Sequence, residues 1–184
     1  LLPKLRRMHF IDPDCGDYIN HEYFVDGTPA IDDVYFNGGW HTVVVCGQGA
    51  GWGRGNICYY FCLDVTDPMN PQPLWEFADP DTIGETWSTP AIGRLPGSGQ
   101  WVAFFGSGYD NNTTEIVGNR LYAVNIETGE AAKTMELSEN HESSPFGIQN
   151  TLPGAPALVD LNNDGYIDVV FIGDLLGRMW RVDV

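Results

Sequence analysis

A short motif recurs three times along the chain and constrains the fold more than any other feature. Thr28–Ile31 reads Thr-Pro-Ala-Ile, Thr89–Ile92 repeats it without change, and Ala155–Leu158 reads Ala-Pro-Ala-Leu. The prolines are 61 residues apart (90 − 29) and then 66 residues apart (156 − 90). A repeat at this period indicates an array of supersecondary units, each packed on its neighbours.

Each copy of the motif is followed by short apolar segments that have the character of strands. The segments that end in glycine are Trp40–Gly47, Trp101–Gly106 and Ile167–Gly173. Third segments follow at Tyr60–Val65, Leu121–Ile126 and Met179–Val184, and the first two units add Leu74–Phe77 and Lys133–Leu137. No stretch keeps a 3.6-residue apolar period, so short segments bounded by Gly, Pro, Asn or Asp predict β-strands.

The sequence therefore predicts an all-β chain, a β-propeller built of four-stranded antiparallel blades. A β-sandwich also uses many short strands, but it does not require the same proline-to-aspartate signature three times. We expect a partial propeller over residues 27–184, with blades at about 27–87, 88–153 and a truncated 154–184, after a lead-in segment or blade tail at 1–26. Known rings have about four to eight blades, so about three blades predict a fragment of a larger ring. Strand alternation predicts six buried side chains: Val43, Val45, Val102, Phe104, Val170 and Ile172.

The third unit carries oxygen ligands at the spacing of a calcium loop. Side-chain oxygens stand at loop positions 1, 3, 5 and 9, on Asp160, Asn162, Asp164 and Asp168. Gly165 occupies position 6, where a sharp turn is needed, and Tyr166 at position 7 offers its backbone carbonyl. The sequence thus predicts Ca²⁺ as a cofactor, with about one or two waters completing the shell.

The loop departs from an EF-hand at its C-terminal end. Position 12, normally a bidentate glutamate, is Phe171, and β-type residues replace the exit helix. We therefore expect a calcium loop between two strands. The alternative is a plain hairpin turn, because Asn, Asp and Gly favour turns without a metal.

Composition excludes several classes of partner. Nine Lys and Arg stand against 25 Asp and Glu, for a formal net charge of −16. Nucleic acid and anionic lipid both select basic surfaces, so we expect neither as a partner. No run of about 18 apolar residues is present, and we predict no transmembrane segment.

The four cysteines are Cys15, Cys46, Cys58 and Cys62. An even count in such a β-protein favours disulfides and an oxidising compartment, and no spacing typical of zinc ligands is present. Cys58 and Cys62 would be about 13 Å apart in a strand, too far to bond each other. Three connectivities are open, and a cross-strand bridge between Cys46 and Cys58 is the preferred one.

Catalytic motifs are absent from the sequence. It contains no GxSxG, HExxH or CxxCH pattern, and the glycine run Gly47–Gly55 matches no phosphate-binding loop. The four histidines are scattered without an obvious carboxylate partner, so we expect His41 to be a packed blade residue. The sequence predicts no catalytic residues and no enzymatic activity.

An ordered set of segments resembles the β-propeller of the PilC/PilY1 family. The set comprises Phe24–Tyr35, Trp40–Val45, Gly53–Gly55, Leu63–Pro68, Trp75–Phe77, Asp160–Asp168 and Gly173–Asp183. The resemblance covers about residues 23–184 and implies that the family's calcium loop falls on the ligand set named above. Cys58–Cys62 departs from the plainer strand expected of the family.

Members of that family are tip-associated adhesins and assembly factors of bacterial type IV pili. The resemblance implies a non-enzymatic, calcium-binding module that is exported through the periplasm to the pilus tip or outer-membrane surface. It also implies roles in pilus extension and retraction, adhesion and surface sensing. The implied partners are minor pilins of the pilus tip complex, and a host or surface receptor reached through regions outside this chain.

Two other propeller classes share single features with the chain. Leu121–Gly129 resembles the repeats of pyrroloquinoline-quinone enzymes, which also use calcium, so part of a quinoprotein dehydrogenase is the main alternative function. The adjacent-cysteine pair of many such alcohol dehydrogenases is absent. An integrin-like FG-GAP propeller also has Asp-rich loops, but Phe105-Gly106 is the one pair here that resembles its signature.

Overall fold

The computed structural model describes residues 24–50, 57–110, 117–137 and 150–184. Within these ranges the chain forms three antiparallel sheets and no helix, and therefore no helix long and apolar enough to cross a membrane.

Blade 1 consists of β1 (Ala30–Phe36), β2 (Gly39–Gly47), β3 (Tyr60–Asp64) and β4 (Gln72–Phe77). Blade 2 consists of β5 (Ala91–Arg94), β6 (Trp101–Gly106), β7 (Arg120–Asn125) and β8 (Ala131–Glu136). Blade 3 contains β9 (Ala157–Val159), β10 (Val169–Gly173) and β11 (Met179–Asp183).

The strands follow chain order within each sheet, so each blade is a meander. Every first strand begins directly after a proline of the repeated motif, and β5 contacts both β1 and β9. The first strands therefore lie side by side, with the later strands of each blade extending away from them. The predicted all-β architecture of four-stranded blades is confirmed, whereas the boundaries between blades and the lead-in segment stay predictions, because residues 1–23 lie outside the described ranges.

Blade 2 packs against both neighbours because alternate residues of its strands point in opposite directions. One face meets blade 1 in a core formed by Val43, Val45, Tyr60, Cys62, Ala103, Phe105, Tyr122 and Val124. The other face meets blade 3 in a second core formed by Val102, Phe104, Leu121, Ala123, Val170 and Ile172. All six side chains predicted to be buried are at most 1% exposed. The two seams thus hold the predicted core.

The glycine that ends the second strand lets the next inter-blade segment approach closely. A Cβ atom on Gly47 would overlap the carbonyl oxygen of Thr86, and one on Gly106 would overlap that of Leu152. Both carbonyls belong to the segment that leads into the following blade. Glycine at this repeat position therefore sets the spacing between successive blades.

Gly106→Ala should destabilise the protein by about 2–3 kcal/mol, because the added methyl group overpacks the seam between blades 2 and 3. Gly39→Ala is the matched control, since the nearest atom to its Cβ is His41 Nε2 at 3.7 Å. That control should be neutral or stabilise by about 0.5 kcal/mol. Urea unfolding of both variants makes the comparison, and equal losses would show that Gly106 sets no close approach.

The predicted bridge between Cys46 and Cys58 is wrong. Cys46, Cys58 and Cys62 are all free and buried. The strand register explains the outcome, because Cys46 lies opposite Phe61 rather than Cys58. Desolvation, with the negative charge of a neighbouring carboxylate, raises the pKa of Cys58 to about 11 and that of Cys62 to about 12, so both stay protonated thiols. Cys15 lies outside the described residues.

Candidate metal centre

The predicted calcium loop joins the first two strands of blade 3. The corresponding connection in blade 1 is a two-residue hairpin turn. In blade 1, Asn37 (φ 49°) and Gly38 (φ 81°) form the two-residue turn between β1 and β2. Their positive φ values match the primed turns that such tight hairpins favour. In blade 3, residues 160–168 replace this turn, and β10 follows at once. The prediction that a strand rather than a helix follows the loop is confirmed.

Side chains of the loop accept hydrogen bonds from backbone N–H groups further along it. The four bonds are Gly165 N to Asp160 Oδ2 (2.7 Å), Asp164 N to both Asp160 Oδ1 (3.2 Å) and Asn162 Oδ1 (2.9 Å), and Tyr166 N to Asp164 Oδ1 (2.9 Å). Each bond spans two to five residues, so the loop winds around its own oxygen-bearing side chains. This winding brings positions 1, 3 and 5 into one compact turn.

Asp168 closes the loop from its far end. Its Oδ2 atom accepts a 2.7 Å hydrogen bond from the backbone N–H of Leu161, the second loop residue. The backbone itself turns sharply at Gly165, whose φ of 86° lies in the left-handed region, and no atom lies within 4 Å of its Cβ position. Glycine takes this conformation at no steric cost, as the sequence pattern requires at position 6.

Electrostatics favour an ionised Asp160. Desolvation acts to raise its pKa, but backbone N–H groups from Gly165, Asp164, Asn163 and Asn162 outweigh it and hold the pKa below its ordinary value. The loop also places two further carboxylates, Asp164 and Asp168, within the same nine residues. A cation would offset the repulsion among these like charges.

The residues fit calcium in ligand type and in order along the backbone. Three carboxylates, one amide oxygen and one backbone carbonyl form the oxygen set that a hard cation such as Ca²⁺ prefers. Across the described ranges, no three His, Cys, Asp or Glu side chains are arranged to hold a metal ion as they stand. In the loop, backbone N–H groups and the Asn162 amide already hydrogen-bond to the carboxylates, so a cation would compete with these donors.

Sequence reasoning missed Arg94, which brings blade 2 against the loop. Its Nη2 atom donates a 3.2 Å hydrogen bond to the hydroxyl of Tyr166, and its guanidinium carbon lies 4.5 Å from the centre of that ring. The backbone N–H of Ile167 also donates to the Arg94 carbonyl at 2.9 Å. No motif in the loop reveals this contact, because Arg94 and Tyr166 are 72 residues apart in the chain.

The histidine that the structure describes has a carboxylate partner, contrary to prediction. His41 Nδ1 lies 2.7 Å from Asp64 Oδ2, and the ring of Phe36 stacks on the imidazole at 4.0 Å. Thr66 donates both its N–H and its hydroxyl to Asp64 Oδ1. Desolvation acts to raise the pKa of Asp64, but these bonds and His41 outweigh it and lower the pKa. The pair joins β2 to the end of β3, which agrees with the predicted packing role of His41.

Comparison with known proteins gives a family match over nearly the whole chain. Residues 10–184 match the PilY1 beta-propeller domain. The type IV pilus biogenesis factor PilY1 of Pseudomonas aeruginosa (strain UCBPP-PA14) is 40% identical over 167 residues, covering 89% of this chain and 13% of the relative. A type IV pilus biogenesis factor PilY1 homolog of Xylella fastidiosa (strain Temecula1) is 34% identical over 183 residues, covering 98% of this chain and 13% of the relative. The chain thus spans 13% of the length of these two curated relatives.

A solved structure shows the same likeness in three dimensions. The crystal structure of the Pseudomonas aeruginosa PilY1 C-terminal domain superimposes with a TM-score of 0.68 at 33% identity. The superposition covers 86% of this chain and 30% of that chain. Sequence and fold therefore confirm the resemblance, and they favour it over the quinoprotein alternative.

Proposed function

Because this chain belongs to the PilY1 β-propeller family, we propose that it is the calcium-binding propeller module of a type IV pilus tip adhesin or pilus biogenesis factor. Its homologues are type IV pilus biogenesis factors, which supports a pilus-related role for the propeller. The proposal adds that the module binds rather than catalyses. It further assigns the module to pilus extension and retraction, adhesion and surface sensing.

The loop at residues 160–168 carries the calcium part of the proposal. Its support is the succession of side-chain-to-backbone hydrogen bonds at positions 1, 3 and 5, together with the left-handed Gly165 at position 6. In blade 1, a two-residue turn without a carboxylate joins the corresponding strands, β1 and β2. The acidic composition of residues 160–168 therefore supports a role beyond reversing the chain.

Asp160, Asn162, Asp164 and Asp168 would hold the cation through side-chain oxygens, and Tyr166 would hold it through its carbonyl. When bound, calcium would supply positive charge among three carboxylates that otherwise repel one another. The chain's own residues then keep the loop wound and the hairpin from β10 to β11 in place. Calcium would act as a conformational support for neighbouring surfaces, without a chemical step.

Binding rather than catalysis agrees with the chemistry of the described side chains. Asp64 of the His41 pair is already engaged by His41 and by both donors of Thr66. Desolvation holds Cys58 and Cys62 as buried, protonated thiols, which are poor nucleophiles. These groups support the fold, and the loop is left as the candidate functional feature.

The proposed setting is extracellular, at the pilus tip or outer-membrane surface, after export through the periplasm. Minor pilins or other proteins of the tip complex are the proposed partners, and a host or surface receptor would be contacted through regions outside this chain. The net charge of −16 supports a soluble surface and attraction of cations. It gives no support to a nucleic-acid partner.

The experiment that tests this role compares surface pili in the host bacterium carrying wild type, Asp164→Ala or Asp67→Ala. Asp67 is the matched control because it is an exposed turn carboxylate of blade 1, bonded to Met69 N and outside the loop. We expect pilus number in the wild type and the control to change with calcium, and that of Asp164→Ala to stay constant. If all three strains respond equally to calcium, the proposed function is wrong.

A further inference from the structure

Tyr166 and Ile167, two adjacent residues of the loop, contact one residue of blade 2. The side chain of Arg94 contacts the ring and hydroxyl of Tyr166, and the carbonyl of Arg94 accepts the N–H of Ile167. Gly93 makes room for this contact, since a Cβ there would lie 2.7 Å from Ile167 Cγ1. The loop therefore packs against blade 2 as well as against the strands of blade 3.

The hydrogen bond to Ile167 fixes the peptide unit that contains the Tyr166 carbonyl. In a trans peptide the N–H and C=O groups point in opposite directions. Because the N–H of Ile167 points at Arg94 in blade 2, the carbonyl of Tyr166 points away from blade 2. The neighbouring blade thus orients the one backbone oxygen that the calcium loop requires.

The guanidinium of Arg94 is held by aromatic rings more than by counter-charges. Its carbon lies 4.5 Å from the centre of the Tyr166 ring and 5.7 Å from that of Trp101. Its Nε atom is buried and has no hydrogen-bond partner in the described part of the chain. Arg94 as a whole is half-buried, and a cationic group whose Nε is cut off from solvent is costly to place unless its ring contacts stabilise it. Loss of the Tyr166 contact would therefore loosen both residues.

We propose that Arg94 is a positioning residue of the calcium loop, which couples cation binding to the seam between blades 2 and 3. The proposal rests on the calcium site proposed above and extends it to a second blade. Arg94 holds Tyr166 and Ile167 of the loop against blade 2, so a cation has less of the loop to order when it binds. By linkage, a bound cation strengthens the seam by the same factor by which the seam strengthens cation binding.

The direction in which calcium affinity changes on loss of the Arg94 guanidinium separates a positioning role from simple charge repulsion. Arg94 is a positive charge beside the loop, so electrostatics alone predicts that its removal tightens calcium binding. A positioning role predicts weaker calcium binding, because Tyr166 loses its hydrogen bond and ring contact with Arg94. Arg94→Met removes the charge and the hydrogen bond while keeping an unbranched side chain and the backbone carbonyl.

The test is calorimetric titration of the full-length protein with calcium chloride. We expect Arg94→Met to weaken calcium affinity roughly five- to tenfold, at the lower end of couplings between linked sites, and Arg94→Lys to recover part of the loss. Arg181→Met is the matched control, since its side chain is 59% exposed and pairs with Asp183 rather than with a residue of the loop. The control should bind as the wild type does.

Other results would overturn the inference. Calcium affinity of Arg94→Met equal to or tighter than wild type would show that Arg94 does not position the loop. If Arg94→Met fails to fold, Tyr166→Phe decides, because it removes the hydroxyl alone and is expected to weaken binding about two- to threefold; unchanged binding would refute the proposal. Absence of calcium binding by the wild type is a separate outcome that refutes the proposed site itself.

Discussion

Asp164→Ala is expected to abolish calcium binding and with it the stabilisation that calcium provides. Asp164 stands at loop position 5, accepts the N–H of Tyr166 and lies between the proposed ligands at positions 3 and 7. A ligand at 100 times its dissociation constant stabilises the folded state by about 2.7 kcal/mol. For a domain of this size that corresponds to roughly 5–10 °C in melting temperature. Thermal melts in calcium and in chelator measure the difference.

Asp67→Ala again serves as the control, because it removes one exposed carboxylate without touching the loop. It should retain the full calcium-dependent increase in melting temperature. In chelator, Asp164→Ala and wild type should melt close together, since the two lost hydrogen bonds, from Tyr166 N–H and the Asn162 amide, are offset by reduced repulsion among the loop carboxylates. If Asp164→Ala and wild type gain equally from calcium, Asp164 is not a ligand.

Phe105→Ala is expected to lower the free energy of unfolding by about 4 kcal/mol, within the range for removing a buried aromatic ring. Phe105 is fully buried in the seam between blades 1 and 2 and stacks on Tyr60 at 3.8 Å. It also meets Phe77 edge-on at 5.8 Å. No neighbouring ring can fill the resulting cavity without losing its own contacts.

Phe105→Leu provides the graded comparison for this prediction. Leucine restores most of the lost volume, so the loss should fall to about 1–2 kcal/mol. Urea unfolding followed by tryptophan fluorescence measures both variants. A loss below about 1 kcal/mol for Phe105→Ala would mean that the seam between blades 1 and 2 contributes little to stability.

The repeat and the alternation of side chains were sufficient to predict the fold. The recurring Pro-Ala motif marked the start of every first strand, and period-two alternation identified Val43, Val102 and Val170 as buried. These signals are local, so they can be read without knowing which strands pair. The strand after residues 160–168 was predictable for the same reason.

Contacts that depend on register or on a second blade could not be read from the sequence. The bridge between Cys46 and Cys58 failed because strand pairing placed Phe61 opposite Cys46. The pairing of His41 with Asp64 follows from the same register, since Val43 lies opposite Asp64. Arg94 reaches Tyr166 across a blade seam, and no spacing rule connects two residues so far apart in the chain.

The central claim is that residues 160–168 bind calcium in preference to magnesium. Calorimetric titration of the metal-free protein with each cation in turn tests it most directly. We expect one calcium site that is lost in Asp164→Ala and much weaker binding of magnesium, which demands a tight octahedral shell and gives up its waters reluctantly. No heat of binding with calcium, or equal affinity of wild type and Asp164→Ala, would contradict the claim.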